Sequence, residues 1–86
     1  MDFETWKEIN ENKCLEAKFH LFNQAMQNIT FCSVEISEAE RRSNEADENY
    51  WRKEREGQNK RAEWLFGEIV DGIHALEGGK RSVQRI

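Results

Sequence analysis

The reading of the fold turns on one stretch, SEAERRSNEADENYWRKEREGQNKRAEWLFGEIVDGIHAL, which runs from Ser37 to Leu76. It holds no proline and is dominated by Glu, Arg, Lys and Ala, residues that lose little freedom in a helix. Ser37-Glu38-Ala39-Glu40 has the form of a capping box, in which the serine side chain accepts from the third amide and the glutamate reaches back. Glu38 with Arg42, Glu48 with Arg52 and Glu56 with Lys60 each set the acid four residues before the base. That order supports a solvated helix by about 0.2–0.5 kcal/mol per pair. From Ala62 the apolar residues Leu65, Phe66, Ile69, Val70, Ile73 and Leu76 recur at helical spacing, with Trp64 beside them. Gly78-Gly79 reads as the stop, leaving 78–86 as a basic frayed tail with Lys80, Arg81 and Arg85. The sequence therefore predicts one long helix over about 37–77, with Gly57 as the place where it could instead break in two.

The residues before it form a shorter partner. Asp2 is a good N-cap with Glu4 in the first turn, and Phe3, Trp6 and Ile9 recur every three residues. Leu15, Phe19, Phe22, Met26 and Ile29 follow at spacings of four, three, four and three, a heptad-like stripe on one face. The segment 2–30 thus reads as one helix, and the polar gap at Asn10-Glu11-Asn12 offers the alternative of a split, where Asn10 or Asn12 would cap a second helix. Between Thr30 and Ile36 the apolar residues Cys32, Val34 and Ile36 alternate with Ser33 and Glu35, a period of two that reads as an extended connector. The fold class is all-α, a helical hairpin in a single domain over 1–86. A three-helix bundle broken near Gly57 is the alternative.

Element lengths raise a packing problem. At about 1.5 Å per residue the second segment is about 60 Å long and the first about 40 Å. Folding back across 31–36 would leave Ala62–Leu76 overhanging the end of its partner, an exposed stripe that a monomer does not tolerate. Residues 38–48 carry five acids and two bases, and residues 52–61 carry five bases and two acids. An antiparallel pair of copies crossing near Tyr50-Trp51 would set each acidic block against a basic one. The expectation is an antiparallel homodimer, with Phe19, Phe22, Met26, Leu65, Phe66, Ile69, Ile73 and Leu76 as its dimer and core residues.

Composition narrows the function. The chain has 86 residues, 35 % of them charged, a net charge of −4 and a pI near 5.2. Net negative charge opposes general binding to nucleic acid or anionic lipid. The longest apolar run is Trp64-Leu65-Phe66, far short of a membrane span, and Met1-Asp2-Phe3-Glu4 lacks the basic start of a signal peptide. Cys14 and Cys32 have no CxxC spacing and fit reduced thiols in a cytoplasmic protein. His20, His74, Glu16 and Asp71 are too few and too scattered to read as a metal site. Cys14 and His20 fall on different helix faces, and no glycine loop precedes a helix to cradle phosphate. No enzyme activity, cofactor or metal is expected.

The remaining signal is aromatic. Trp6, Trp51 and Trp64 are costly residues in a short polar chain, and aromatic and arginine side chains anchor protein interfaces. Tyr50, Trp51, Arg52, Arg55, Arg61 and Trp64 are the expected partner-binding residues. The sequence points to a small non-enzymatic interaction protein that occludes or bridges another protein. By size and composition it is of the kind that phages and mobile elements use to inhibit host machinery. The alternative is a nucleic-acid-associated regulator using the basic segment 52–61, where aromatics flank cations.

Overall fold

The computed structural model describes the backbone of residues 1–84 and the side chains of residues 1–77. The described residues form three helices: α1 (Phe3–Asn10), α2 (Leu15–Arg41) and α3 (Glu45–Gln84). The class is all-α. The boundaries depart from the sequence reading in three places, and each departure has a physical cause.

The first is the split in the N-terminal segment. Asp2 caps α1 by accepting from the Thr5 amide at 2.8 Å, and that hydrogen bond holds the Asp2 carboxyl below its ordinary value. Asn10 ends the helix from inside. It is buried, its Nδ2 donates to the Trp6 carbonyl at 2.8 Å, and the Lys13 amide bonds its carbonyl. The N-cap of α2 is Cys14, extended and without a side-chain cap, so neither Asn10 nor Asn12 has the capping role assigned to it.

The second departure concerns 31–36, which is helical and not a connector. Cys32 and Ile36 satisfy two periods at once, since they alternate in a strand and stand four apart in a helix. Ala25, Cys32, Ile36 and Ala39 are all buried along one face of α2, and that burial decides in favour of the helix. Ser37 is accordingly mid-helix and its capping box starts nothing.

The reversal comes instead at Arg42-Ser43-Asn44. Ser43 sits at φ 57, in the left-handed region. Its amide donates to the Glu40 carbonyl at 3.0 Å and the Asn44 amide donates to the Ala39 carbonyl at 2.8 Å, the paired bonds of a Schellman C-cap. Asn44 then opens α3: its Oδ1 accepts from the Asp47 amide at 3.2 Å, and Glu45, Asp47 and Glu48 crowd the first turn where the helix dipole favours acids.

The third departure is the extent of α3. It runs unbroken through Gly57, which removes the break proposed there, and passes Gly78-Gly79 to reach Gln84. A glycine weakens a helix interior by about 1 kcal/mol but does not by itself end one. The last two residues of the expected tail lie outside the described residues.

The later turn changes the register, and with it the overhang. Lys18 meets Glu68, Phe22 meets Phe66, Asn28 meets Gln58 and Ser33 meets Arg55, so α2 and α3 lie antiparallel. The first residue of α2, Leu15, reaches Gly72. The stretch from Ala62 to Gly72 thus lies alongside α2, which buries Ala62, Leu65 and Ile69 and leaves Phe66 exposed, and only α3 beyond Gly72 extends past α2. The core is a narrow seam in which Ala25, Cys32, Ile36 and Ala39 face Ala62, Leu65 and Ile69. Helix α1 closes one flank of that seam through Trp6, which stands edge-on to Trp64 at 5.6 Å and lies under the Arg61 guanidinium at 5.1 Å.

Two predictions test this geometry. Ser43→Gly relieves a left-handed serine and raises stability by about 0.5–1 kcal/mol, whereas Asn44→Ala removes a cap and lowers it by about 1 kcal/mol. In a chain of this size each moves the thermal midpoint by several degrees, about 4–8 °C per kcal/mol. Glycine substitutions separate in the same assay. A Cβ at Gly57 meets nothing within 4 Å, so Gly57→Ala gains up to about 1 kcal/mol. At Gly72 a Cβ would stand 2.9 Å from Leu15 Cδ1, and Gly72→Ala loses most of that gain to displacement of Leu15.

Candidate protein-interaction surfaces

The two flanks of the seam differ. Helical spacing puts Leu21, Gln24 and Asn28 of α2 on the α1 side, where they line a crevice with Trp6, Gln58 and Arg61. Trp64 and Glu68 of α3 lie on that flank too. The same spacing puts Phe19, Phe22 and Met26 on the opposite flank, level with Phe66, Val70 and Ile73 of α3. Nothing in the described chain covers this second flank. Phe66 is 60 % exposed, Met26 45 % and Phe19 43 %, and the one aromatic pair across it is Phe22 with Phe66, centroids 6.3 Å apart. The molecule buries its small stripe, three of whose four residues on α2 are Ala or Cys, and leaves Phe19 and Met26 of its bulky heptad stripe exposed, with Leu15, Phe22 and Ile29 half-buried.

The dimer and core residues inferred from the sequence therefore divide. Leu65 and Ile69 are buried in the seam, Phe22 is half-buried, and Phe19, Met26, Phe66, Ile73 and Leu76 are exposed. The expected partner-binding residues divide as well. Arg61 and Trp64 are engaged by Trp6, and Lys18 Nζ, bonded to Glu68 at 3.0 Å, lies 5.7 Å from the Trp64 ring. Near the turn, Trp51 packs edge-on against Phe31 at 5.4 Å and against Tyr50 at 5.0 Å. Phe31, Val34 and Tyr50 are each more than half exposed around it. Sequence reading omitted Phe31 and Val34 because they fell in the supposed connector. Read as helix, 31–34 places Phe31 on the flank of Tyr50.

The cations of 52–61 are partly committed. Arg52 bonds Glu40 at 2.8 Å and Glu48 at 3.5 Å, and Arg55 donates to Ser33 Oγ at 3.3 Å. The acidic and basic blocks thus begin to neutralise each other within one chain, across the turn, which is the contact that the sequence assigned to two copies. A cleft of about 680 Å³ lies between the N-terminus and α3, but Asp2, Lys53, Glu54, Glu56 and Lys60 line it with alternating sign. It presents no single-sign site for an anion and no convergent acid–base pair.

Among the described residues no group of three or more His, Cys, Asp or Glu stands together as a metal site demands, and no helix is long and apolar enough to cross a membrane. Cys14 is exposed and Cys32 buried. Burial pushes the Cys32 thiol above its ordinary value, Glu54 adds to the shift and Arg55 opposes it. Its reactive thiolate is suppressed. No protein-family model matches the chain, and no curated protein or solved structure is significantly similar to it.

Thiol labelling checks the placement of the cysteines. At neutral pH Cys14 reacts with a maleimide or disulfide reagent at the rate of a free thiol. Cys32 reacts only through opening of the α2–α3 seam, so mass spectrometry of the native protein shows one label and of the denatured protein two. Two rapid labels under native conditions would contradict the packing of α2 on α3.

Proposed function

We propose that this chain is a small, non-enzymatic, cytoplasmic protein-interaction module that works as a helical hairpin and a homodimer, occluding or bridging a partner protein through its outer faces. One observation carries the reading: in a chain with few fully buried side chains, the largest apolar groups lie outside the seam. Exposed aromatic clusters of this kind are typical anchors of protein interfaces. Phe31, Val34, Tyr50 and Trp51, rimmed by Arg52, Lys53 and Arg55, form the surface offered to the partner. An inhibitory role of the phage or mobile-element kind fits a protein whose only asset is a surface.

The second reading is a nucleic-acid-associated regulator that uses 52–61. The interleaved Glu54 and Glu56, together with the engagement of Arg52 by Glu40 and Glu48, leave that segment with little net positive field.

Two double variants separate the readings. The tagged protein is used to recover its partner from extract, and the partner is then re-bound in purified form. Phe31→Ser with Trp51→Ala abolishes that binding while circular dichroism shows the helices retained, and Arg52→Glu with Arg55→Glu leaves it within a few-fold. The opposite pattern, joined to binding of single- or double-stranded DNA or RNA that falls by about one logarithmic unit per contact with the logarithm of salt, would establish the nucleic-acid reading instead.

A further inference from the structure

The flank opposite α1 supports a more specific statement, which names one partner within the interaction reading above. We infer that the stripe Phe19, Phe22, Met26 and Phe66 is the seat of a second copy of this chain, in an antiparallel α2–α2 pairing whose two-fold axis passes near Met26.

Charge is the first argument. From Phe19 to Val34 the sequence holds no Asp, Glu, Lys or Arg, in a chain where 35 % of residues are charged. Its exposed polar positions are His20, Asn23, Gln24, Gln27, Asn28 and Thr30. A solvated helix of this protein looks different, as α3 shows between Glu45 and Lys60. Depletion of charge around large apolar side chains marks the centre of an interface, and an uncharged face calls for an uncharged partner. This segment of α2 is the one long uncharged helical surface that the described chain possesses, so a second α2 is its complement.

Shape is the second. A two-fold axis at Met26 relates residue 19 to 33 and residue 22 to 30. Phe19 then lies opposite Ser33, whose Oγ accepts from Arg55 of its own chain, and Phe22 opposite Thr30, with Met26 meeting its own copy on the axis. Methionine suits that position, because its unbranched side chain packs against itself without a fixed shape.

Area is the third. The chain exposes 6548 Å², against about 5,300 Å² for a compact monomer of its mass. The molecule spans 65 × 23 × 14 Å, a long and thin shape. Part of the excess belongs to α3 beyond Gly72. A stable dimer covers about 800 Å² per partner. Pairing across α2 adds further helices to a thin core. It leaves Phe31, Tyr50 and Trp51, on the α1 flank, free for a different protein.

The test is the solution mass by light scattering on a size-exclusion column across a range of concentrations, with two variants at the axis. The expected mass is twice the 10.2 kDa chain. Met26→Glu, which sets two carboxylates face to face, raises the dissociation constant by more than about tenfold and leaves a helical monomer. In a background lacking the native thiols, Met26→Cys forms an intermolecular disulfide on mild oxidation, whereas Tyr50→Cys does not. A wild-type monomer at every concentration overturns the inference. So does a dimer that survives Met26→Glu and gives no Met26→Cys cross-link, because its seam must then lie elsewhere. Loss of self-association alone leaves partner binding through Phe31 and Trp51 standing, and loss of partner binding alone leaves the dimer standing, so the two failures are distinguishable.

Discussion

Everything in this molecule depends on how closely α2 and α3 approach, and that approach is set by alanine. Ala39, fully buried, sits one turn before the reversal at Ser43, and Ala25, Cys32 and Ala62 continue the same line of small side chains along the two helices. Small residues let two helix backbones come near. They also contribute little apolar area, at roughly 25 cal/mol per Å² buried. Leu65, Ile36 and Ile69 supply most of what the seam gains. A seam this thin offsets the entropy of ordering some eighty residues only narrowly, so the bulky side chains displaced from it matter to the fold as well as to its partners.

The turn fixes which residues those are. Had the chain reversed at 31–36, Phe22 and Met26 would have stood near the turn and Ala62–Leu76 would have hung free. Reversal at 42–44 adds about three turns to α2 and slides it along α3 until Leu15 reaches Gly72. The bonds from Ser43 and Asn44 to Glu40 and Ala39 hold that register, and the Arg52 bridge to Glu40 and Glu48 braces it from outside. Exposed ion pairs of this kind add little stability. Their role is orientation: they keep the acidic block of the turn beside the basic block of α3 within one molecule. The electrostatic case for two α3 helices crossing at Tyr50 weakens accordingly.

Much of this was legible from the residues. Helical class followed from spacing and from the lack of proline, and the split after Asn10 was visible as a polar gap. The reversal was not, because its chemistry is unusual. Ser43 takes the left-handed position that glycine ordinarily fills, and Ser37-Glu38-Ala39-Glu40 supplied a stronger capping signal seven residues too early. The pattern that identifies the turn is Asn44 followed by acids at 45, 47 and 48. Cys32 and Ile36 misled for a different reason, since a spacing of four keeps two residues on one face of a strand and of a helix alike. Only Ala25 and Ala39, in line with them at helical spacing, break the tie. The exposed stripe was half legible: Phe19, Phe22 and Met26 were recognised as one face, but a heptad stripe is read by habit as core. Here the alanine-and-cysteine stripe beside it is the core.

That inversion bears on how the protein can act. A chain that buried its phenylalanines would be more stable and would have nothing to offer a partner. One that exposed them without a covering copy would carry an aggregation hazard. Distributing them over two flanks resolves the conflict. The flank with Phe19, Met26 and Phe66 is broad, uncharged and self-complementary, suited to a permanent contact with a like helix. The flank with Phe31, Tyr50 and Trp51 is smaller and lies on the α1 side of the seam. The same division accounts for the three tryptophans. Trp6 and Trp64 close the hairpin at one end, where α1 is too short to hold on without them, and Trp51 stands at the other end against Phe31 and Tyr50.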